Sequence, residues 1–144
     1  MRKKTPADIR LERSSSTVTK CNKRLIFAAL WPKDINNLGT LCRTADALGA
    51  CVAVPDNELG KRSLIKGNTV GLDKVHVHWV DNPLSWLHEM RSKNYYIIGV
   101  ELAHDATPLK DLLPRYKQSV IVLGNESKGI PQASFEYFDE IVEI

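Results

Sequence analysis

Between residues 25 and 144, short continuous apolar runs alternate with longer stretches of helical period. Runs of five or six apolar residues suit strands buried on both faces, and their alternation with helices predicts a mainly parallel sheet. Residues 25–30 (LIFAAL) predict a first strand, ended by Trp31-Pro32-Lys33-Asp34. Leu38, Leu41, Cys42, Ala45 and Leu48 then recur at helical spacing. They predict a helix with Asn36 or Asn37 as its N-cap and Gly49 as its stop. Residues 51–54 predict a second strand, and residues 59–72, with Gly60, Gly67 and Gly71, a loop-rich crossover holding one helical turn. Residues 75–80 alternate, with Val75, Val77 and Trp79 on one face of a third strand and His76 and His78 on the other. Residues 83–93 suit a helix with Pro near its start and Leu84, Leu87 and Met90 facing inward. Residues 95–100 and 119–123 are too continuously apolar to face water and belong at the centre of the sheet. A short helix over 131–137 and a last strand over 140–144 complete an α/β domain of about six strands flanked by helices.

Composition supports one such domain: 144 residues, 43% hydrophobic and 26% charged. No apolar run approaches the ~20 residues of a membrane span, and no signal-peptide h-region is present, so a cytoplasmic protein without membrane contact is expected. Cys21, Cys42 and Cys51 are scattered with no C-x-x-C pair, and read as thiols rather than a disulfide framework or zinc site. Charge is distributed unevenly. Residues 1–24 carry eight Lys/Arg against Asp8 and Glu12, a net +6, while residues 25–144 carry −3 within a total of +3. The first 24 residues thus read as a basic arm and the remainder as the folded domain. Such an arm either contacts a polyanion or is merely solvated.

Two segments carry candidate chemistry. The first, N-N-L-G-T-L-C-R-T-A-D-A-L-G over 36–49, sits at a strand-to-helix junction where backbone N–H groups and the helix dipole favour an anion. Asn37 supplies an amide there, Gly39 permits close approach, and Arg43 projects a guanidinium from the next turn; a phosphate fits this set. A capped helix with an Arg43/Asp46 surface pair is the other reading. The second, V-L-G-N-E-S-K-G-I-P over 122–131, leaves the C-terminal end of a buried strand, where open α/β sheets bind ligands. Gly124 and Gly129 have the spacing of a phosphate loop, but Ile130-Pro131 replaces the Lys and Ser/Thr such a loop requires. No G-x-G-x-x-G follows the first strand either. A flat heterocycle or ribose against bare backbone beside Glu126 is one reading, and a tight turn without ligand the other.

Taken together, the two segments resemble the first two signature motifs of the SpoU/TrmH-type RNA 2′-O-ribose methyltransferases of the SPOUT superfamily. The resemblance covers residues 25–144 and extends to Gly99-Val100-Glu101 and to residues 139–144. It implies a SPOUT-type α/β-knot fold, S-adenosylmethionine as cofactor, a homodimer, and methylation of a ribose in tRNA or rRNA, with a tRNA guanosine favoured. By position, Asn37 and Arg43 match the first-motif residues that act on the ribose and its phosphate. Glu126 matches the second-motif glutamate that organises the site around that arginine. Gly124, Leu123, Ile144 and the stretch Val100, Glu101 and Leu102 fall where the family lines its cofactor pocket. The family arginine is proposed to deprotonate the 2′-hydroxyl. A guanidinium is normally always charged, so stabilisation of the developing alkoxide is the physical alternative.

The family continues after the last strand with a Pro-containing turn, an S-L-N-like third motif and a final helix. The sequence ends at Ile144 before them. The expectation is therefore a chain truncated before the third motif, with an incomplete knot, a cofactor pocket short of one wall and an interface helix missing. Two readings follow: an incomplete methyltransferase, or a catalytically inactive RNA-binding module or gene fragment. Arg2, Lys3, Lys4, Arg10, Arg13 and Lys20 of the arm are candidate RNA contacts, as are Lys61 and Arg62 of a second basic cluster, unless that cluster is simply solvated. His76 and His78 share a strand face, but no Cys or carboxylate at ligand spacing joins them, so no metal is expected. Trp79 and Trp86 are expected to pack against each other.

Overall fold

The computed structural model describes residues 3, 5, 7, 8, 24–67, 75–113 and 118–144. Most of the basic arm, including Arg2, Lys4, Arg10, Arg13 and Lys20, lies outside the described residues, and Lys3 is exposed. The strands are β1 (Leu25–Ala29), β2 (Cys51–Pro55), β3 (Val77–Val80), β4 (Tyr96–Val100), β5 (Thr107–Pro108), β6 (Ser119–Leu123) and β7 (Glu140–Glu143). They form one sheet in the order β3-β2-β1-β6-β4-β7-β5, every pair parallel. β6 is the central strand and β4 its neighbour, as their unbroken apolar sequences require. β5 is a two-residue strand that residue patterning does not register, and it raises the count from about six to seven.

Helices α1 (Ile35–Leu48), α2 (Glu58–Gly67) and α3 (Pro83–Ser92) cover the sheet. Strand alternation divides the core in two. Leu38, Cys42 and Ala45 of α1 pack with Ala29, Val52 and Val54 on one face. Trp86, Leu87 and Met90 of α3 pack with Ile26, Ala28, Ile97, Val120 and Val122 on the other. Leu84 is only half-buried. α1 ends as expected at Gly49, in the left-handed region at φ 63. Its N-cap is Asp34, not Asn36 or Asn37: the Asp34 carboxylate accepts from the Asn36 backbone N–H at 2.8 Å.

Where a loop-rich crossover was expected, α2 runs for ten residues. Its glycines are compatible with a helix because Gly60 lies in the first turn and Gly67 at the end. At Gly60 a side chain would strike the Pro55 carbonyl, so glycine lets the helix start close under β2. The segment expected as a helix near 131–137 is a 3-10 helix, Gln132–Tyr137. Trp79 and Trp86 do not pack together: Trp86 is buried against α3's face of the sheet, while Trp79 is 42% exposed with Lys61 Nζ 6.0 Å from its ring centroid.

The cysteine reading also changes. Cys42 is a buried free thiol, whereas Cys51 is disulfide-bonded, its partner lying outside the described residues. Cys51 moreover joins His76 and His78, one potential ligand atom from each lying within 4.8 Å of the others. The missing third group is supplied by the neighbouring strand. Among the described residues, no helix is long and apolar enough to cross a membrane.

Candidate active site

β1 and β6 run in register with Ala29 opposite Leu123, and β4 flanks β6 with Val100 opposite the same residue. The three loops that follow therefore emerge side by side at the C-terminal edge of the sheet, the usual ligand edge of open α/β folds.

Capping by Asp34 leaves the Asn37 side chain available, and its Nδ2 donates to Glu126 Oε1 at 2.5 Å. Lys33 Nζ adds a bond to Ser127 Oγ at 3.3 Å, so the two motif segments are tied at two points. The second segment is itself a tight loop. Asn125 and Gly129 exchange backbone hydrogen bonds of 3.1 and 3.0 Å, and Asn125 Oδ1 accepts from the N–H groups of Ser127 and Lys128. Gly129 takes φ +65, and a Cβ on Gly124 would meet the Gly129 carbonyl carbon at 2.5 Å. Both glycines serve the close approach of the loop to itself.

Glu101 is drawn into this loop in a way its sequence position does not signal. Its Oε2 accepts from the Ile130 N–H at 2.6 Å and its Oε1 from the Leu102 N–H at 3.0 Å. The carboxylate thus bridges the loop after β4 to the loop after β6, and a Cβ on Gly129 would collide with it. Glu126, by contrast, is exposed. Its carboxyl is held below the ordinary 4.5 by its own backbone N–H first and by the Asn37 amide second, so it is ionised at neutral pH. Arg43 is exposed on α1, and its Nη2 donates to Thr40 Oγ1 at 3.0 Å.

Two cavities flank the Gly124–Ile130 loop. One, of about 410 Å³, is lined by Asn37, Thr40, Thr44, Leu123, Gly124 and Glu126 among others. Arg43 does not line it, but its guanidinium is bonded to Thr40, which does. The second, of about 490 Å³, is lined by Glu101, Leu102, His104, Lys128, Phe135 and Ile141 among others. Both fall within the ~300–1,000 Å³ typical of small-molecule sites. The expected cofactor residues are thus split: Leu123 and Gly124 face the first cavity, and Glu101 and Leu102 the second. Val100 ends β4 between them, while Ile144 is 92% exposed and lines neither. Lys128, His104 and Phe135 were not anticipated, since only the meeting of two loops and the 3-10 helix makes them one wall. Lys61 and Arg62 are exposed on α2, where Lys61 pairs with Asp56 at 2.7 Å.

Residues 24–144 match the SpoU rRNA Methylase family. The chain belongs to that family. It is 30% identical over 137 residues to a tRNA (guanosine(18)-2'-O)-methyltransferase of Aquifex aeolicus, covering 94% of this chain and 64% of the relative. It is 30% identical over 114 residues to a 23S rRNA (guanosine-2'-O-)-methyltransferase of Neisseria meningitidis, covering 77% of this chain and 45% of the relative. The fold agrees with the AdoMet-bound rRNA methyltransferase from Sinorhizobium meliloti at TM-score 0.74 and 19% identity, covering 90% of this chain and 51% of that one. The SpoU chain described here thus spans about half to two-thirds of the length of these relatives. Its family match starts at Arg24, one residue before the boundary drawn from charge and patterning.

Proposed function

We propose that this SpoU chain is the catalytic part of an S-adenosylmethionine-dependent enzyme that methylates a ribose 2′-hydroxyl in a structured RNA, a tRNA guanosine being the favoured substrate. The observation that carries this reading is the Asn37–Glu126 hydrogen bond, which joins the two motif segments beside the 410 Å³ cavity. The Aquifex and Neisseria relatives, both guanosine 2′-O-methyltransferases, support the reaction class.

The second cavity fits the cofactor. Leu102, Phe135 and Ile141 offer apolar surface for an adenine, and Asp105 lies on the same wall to meet a positively charged group. When bound, S-adenosylmethionine supplies an electrophilic sulfonium methyl. The residues of this chain do the rest. The carboxylate of Glu101 ties the loop between the two cavities in place and so fixes one cavity relative to the other, the positioning needed to bring the ribose oxygen into line with the methyl group at the loop's edge. Asn37 and Glu126 orient the ribose. Arg43 places a permanent positive charge beside Thr40 of the first cavity, where it attracts the adjoining phosphate and stabilises negative charge growing on the 2′-oxygen.

The domain boundary near residue 24, the phosphate-contacting role of the arm, of Lys61 and of Arg62, a homodimeric state and a cytoplasmic location belong to the same proposal. Exposed Leu102, Leu109 and Leu113 support a covered surface at the cofactor edge. The +6 charge of the first 24 residues supports RNA contact.

The test is incubation of the purified chain with unmodified tRNA or rRNA and cofactor carrying a labelled methyl group, followed by nuclease digestion and mass spectrometry. A 2′-O-methylnucleoside that disappears with Arg43→Ala is the expected product. Calorimetric cofactor binding lost in Ala103→Trp, which fills the second cavity, is the companion result. A folded chain that binds RNA but neither binds nor consumes the cofactor would overturn the enzyme reading in favour of an RNA-binding module.

A further inference from the structure

We propose that Cys51, His76 and His78 form, when Cys51 is reduced, a binding site for a zinc-type divalent cation at the N-terminal end of β2 and β3. The site is built by strand register. Parallel pairing sets Val52 opposite Val77 and Ala53 opposite His78, so one step back Cys51 stands beside His76; the Val52 N–H donates to the His76 carbonyl at 3.0 Å. Side chains two apart on a strand share a face. Cys51 and Ala53 belong to the core on the α3 side, and the His78 ring lies 6.1 Å from that of Trp86 on α3. The rings of His76 and His78 stand edge to face at 4.6 Å.

One ligand atom from each of the three lies within 4.8 Å of the others. Zinc bonds of ~2.0–2.3 Å need ligand atoms somewhat closer than this, and exposed His76 has room to turn inward. One thiolate and two neutral imidazoles are a donor set for zinc rather than for magnesium or calcium, which take oxygen ligands. Three protein ligands leave the fourth tetrahedral position to water. The location matters as well: every loop of the candidate active site leaves the opposite end of the sheet, so this site holds together β2 and edge strand β3 without touching the transferase chemistry.

Cys51 in its disulfide has no thiolate to give, which makes metal binding conditional on thiol state. Reduction by a phosphine transfers two electrons to the disulfide, yields two thiols and converts the phosphine with water to its oxide. Metal binding then displaces the Cys51 thiol proton.

The experiment titrates cobalt(II) into the full chain, metal-free and reduced with tris(2-carboxyethyl)phosphine. One equivalent is expected to bind with a sulfur-to-cobalt charge-transfer band in the near ultraviolet, and zinc to bleach it. Cys51→Ser removes the band. His76→Ala, at an exposed position, weakens cobalt binding by at least about tenfold, since losing a residue that merely supports a metal ligand already costs about 10–100-fold. His88→Ala, on α3, leaves binding unchanged, and the oxidised chain shows no band. A reduced, natively folded chain without the band, or a band that survives both His76→Ala and His78→Ala, overturns the proposal and leaves the three residues as ordinary packing.

Discussion

Asn37 and Glu126 stand 89 positions apart in the chain and meet in one hydrogen bond, the Asn37 amide donating to the Glu126 carboxylate. The bond exists because β1 and β6 are sheet neighbours and because Asp34, rather than Asn37, caps α1. It predicts a linked titration. The Glu126 carboxyl, followed by NMR, titrates below 4.5, and Asn37→Ala moves it upward only in part, because its own backbone N–H supplies the larger share of the shift. A depressed carboxyl favours the native loop above its unfolded value and loses that contribution as pH falls through the lower native one. Full return to 4.5 in Asn37→Ala would contradict this order of causes.

Arg43 tests the electrostatic role. A planar guanidinium and a lysine ammonium carry the same charge, but only the former presents a fixed fork of donors. Arg43→Lys is therefore expected to lose about a hundredfold in kcat, the scale of a small misplacement of reacting groups, and to resemble Arg43→Ala. Steady-state methyl transfer on both variants decides it. Near-wild-type turnover by the lysine variant would show that charge alone suffices.

Gly129 and Glu101 act as one unit. Gly129→Ala places a methyl group at positive φ against the Glu101 carboxylate, at about 1–2 kcal/mol for the backbone alone. Cofactor affinity by calorimetry should fall in Gly129→Ala and in Glu101→Gln, with the double variant losing less than the sum of the two. Additive losses would separate the residues.

Cys42, on the buried face of α1 behind the first cavity, supplies a pH signature of its own. Burial pushes its thiol up to about 11 from 9.0, with the neighbouring Arg43 charge opposing. A raised value means the stabilisation is complete below 9, where both states hold the proton, and is lost between 9 and 11. The slope there is about 1.4 kcal/mol per pH unit. Urea melts across that range should show Cys42→Ala losing less stability than the wild type; parallel losses would remove the thiol as the cause.

Much of this was legible from residue patterning, and the exceptions have specific causes. β1, β2, β4 and β6 were placed within about one residue because central parallel strands are apolar on both faces. α2 was missed because its glycines read as breakers, although they occupy the first turn and the last position. Asn57, whose Oδ1 accepts from Gly60 N–H at 2.9 Å, was the unread start signal. The candidate site residues Asn37, Glu126 and Arg43 stand out from the chemistry of the two segments and take their expected roles from motif resemblance, but that the first two touch is a property of sheet order, which periodicity does not encode. Cys51 went unmatched with its histidines for the same reason. Glu101 was assigned to a cofactor wall, while its structural role as a bridge depends on a loop 29 positions later.

The placement of β6 between β1 and β4 has a consequence during synthesis. When β1, β2 and β3 have left the ribosome, the inner edge of β1 still presents unpaired backbone, and it stays so until residues 119–123 arrive. Contacts this distant in sequence form slowly, and open strand edges recruit other chains. A nascent chain of this design is thus most exposed to misassembly just before its central strand emerges, and the cleft beside Asn37 is among the last parts of the molecule to take shape.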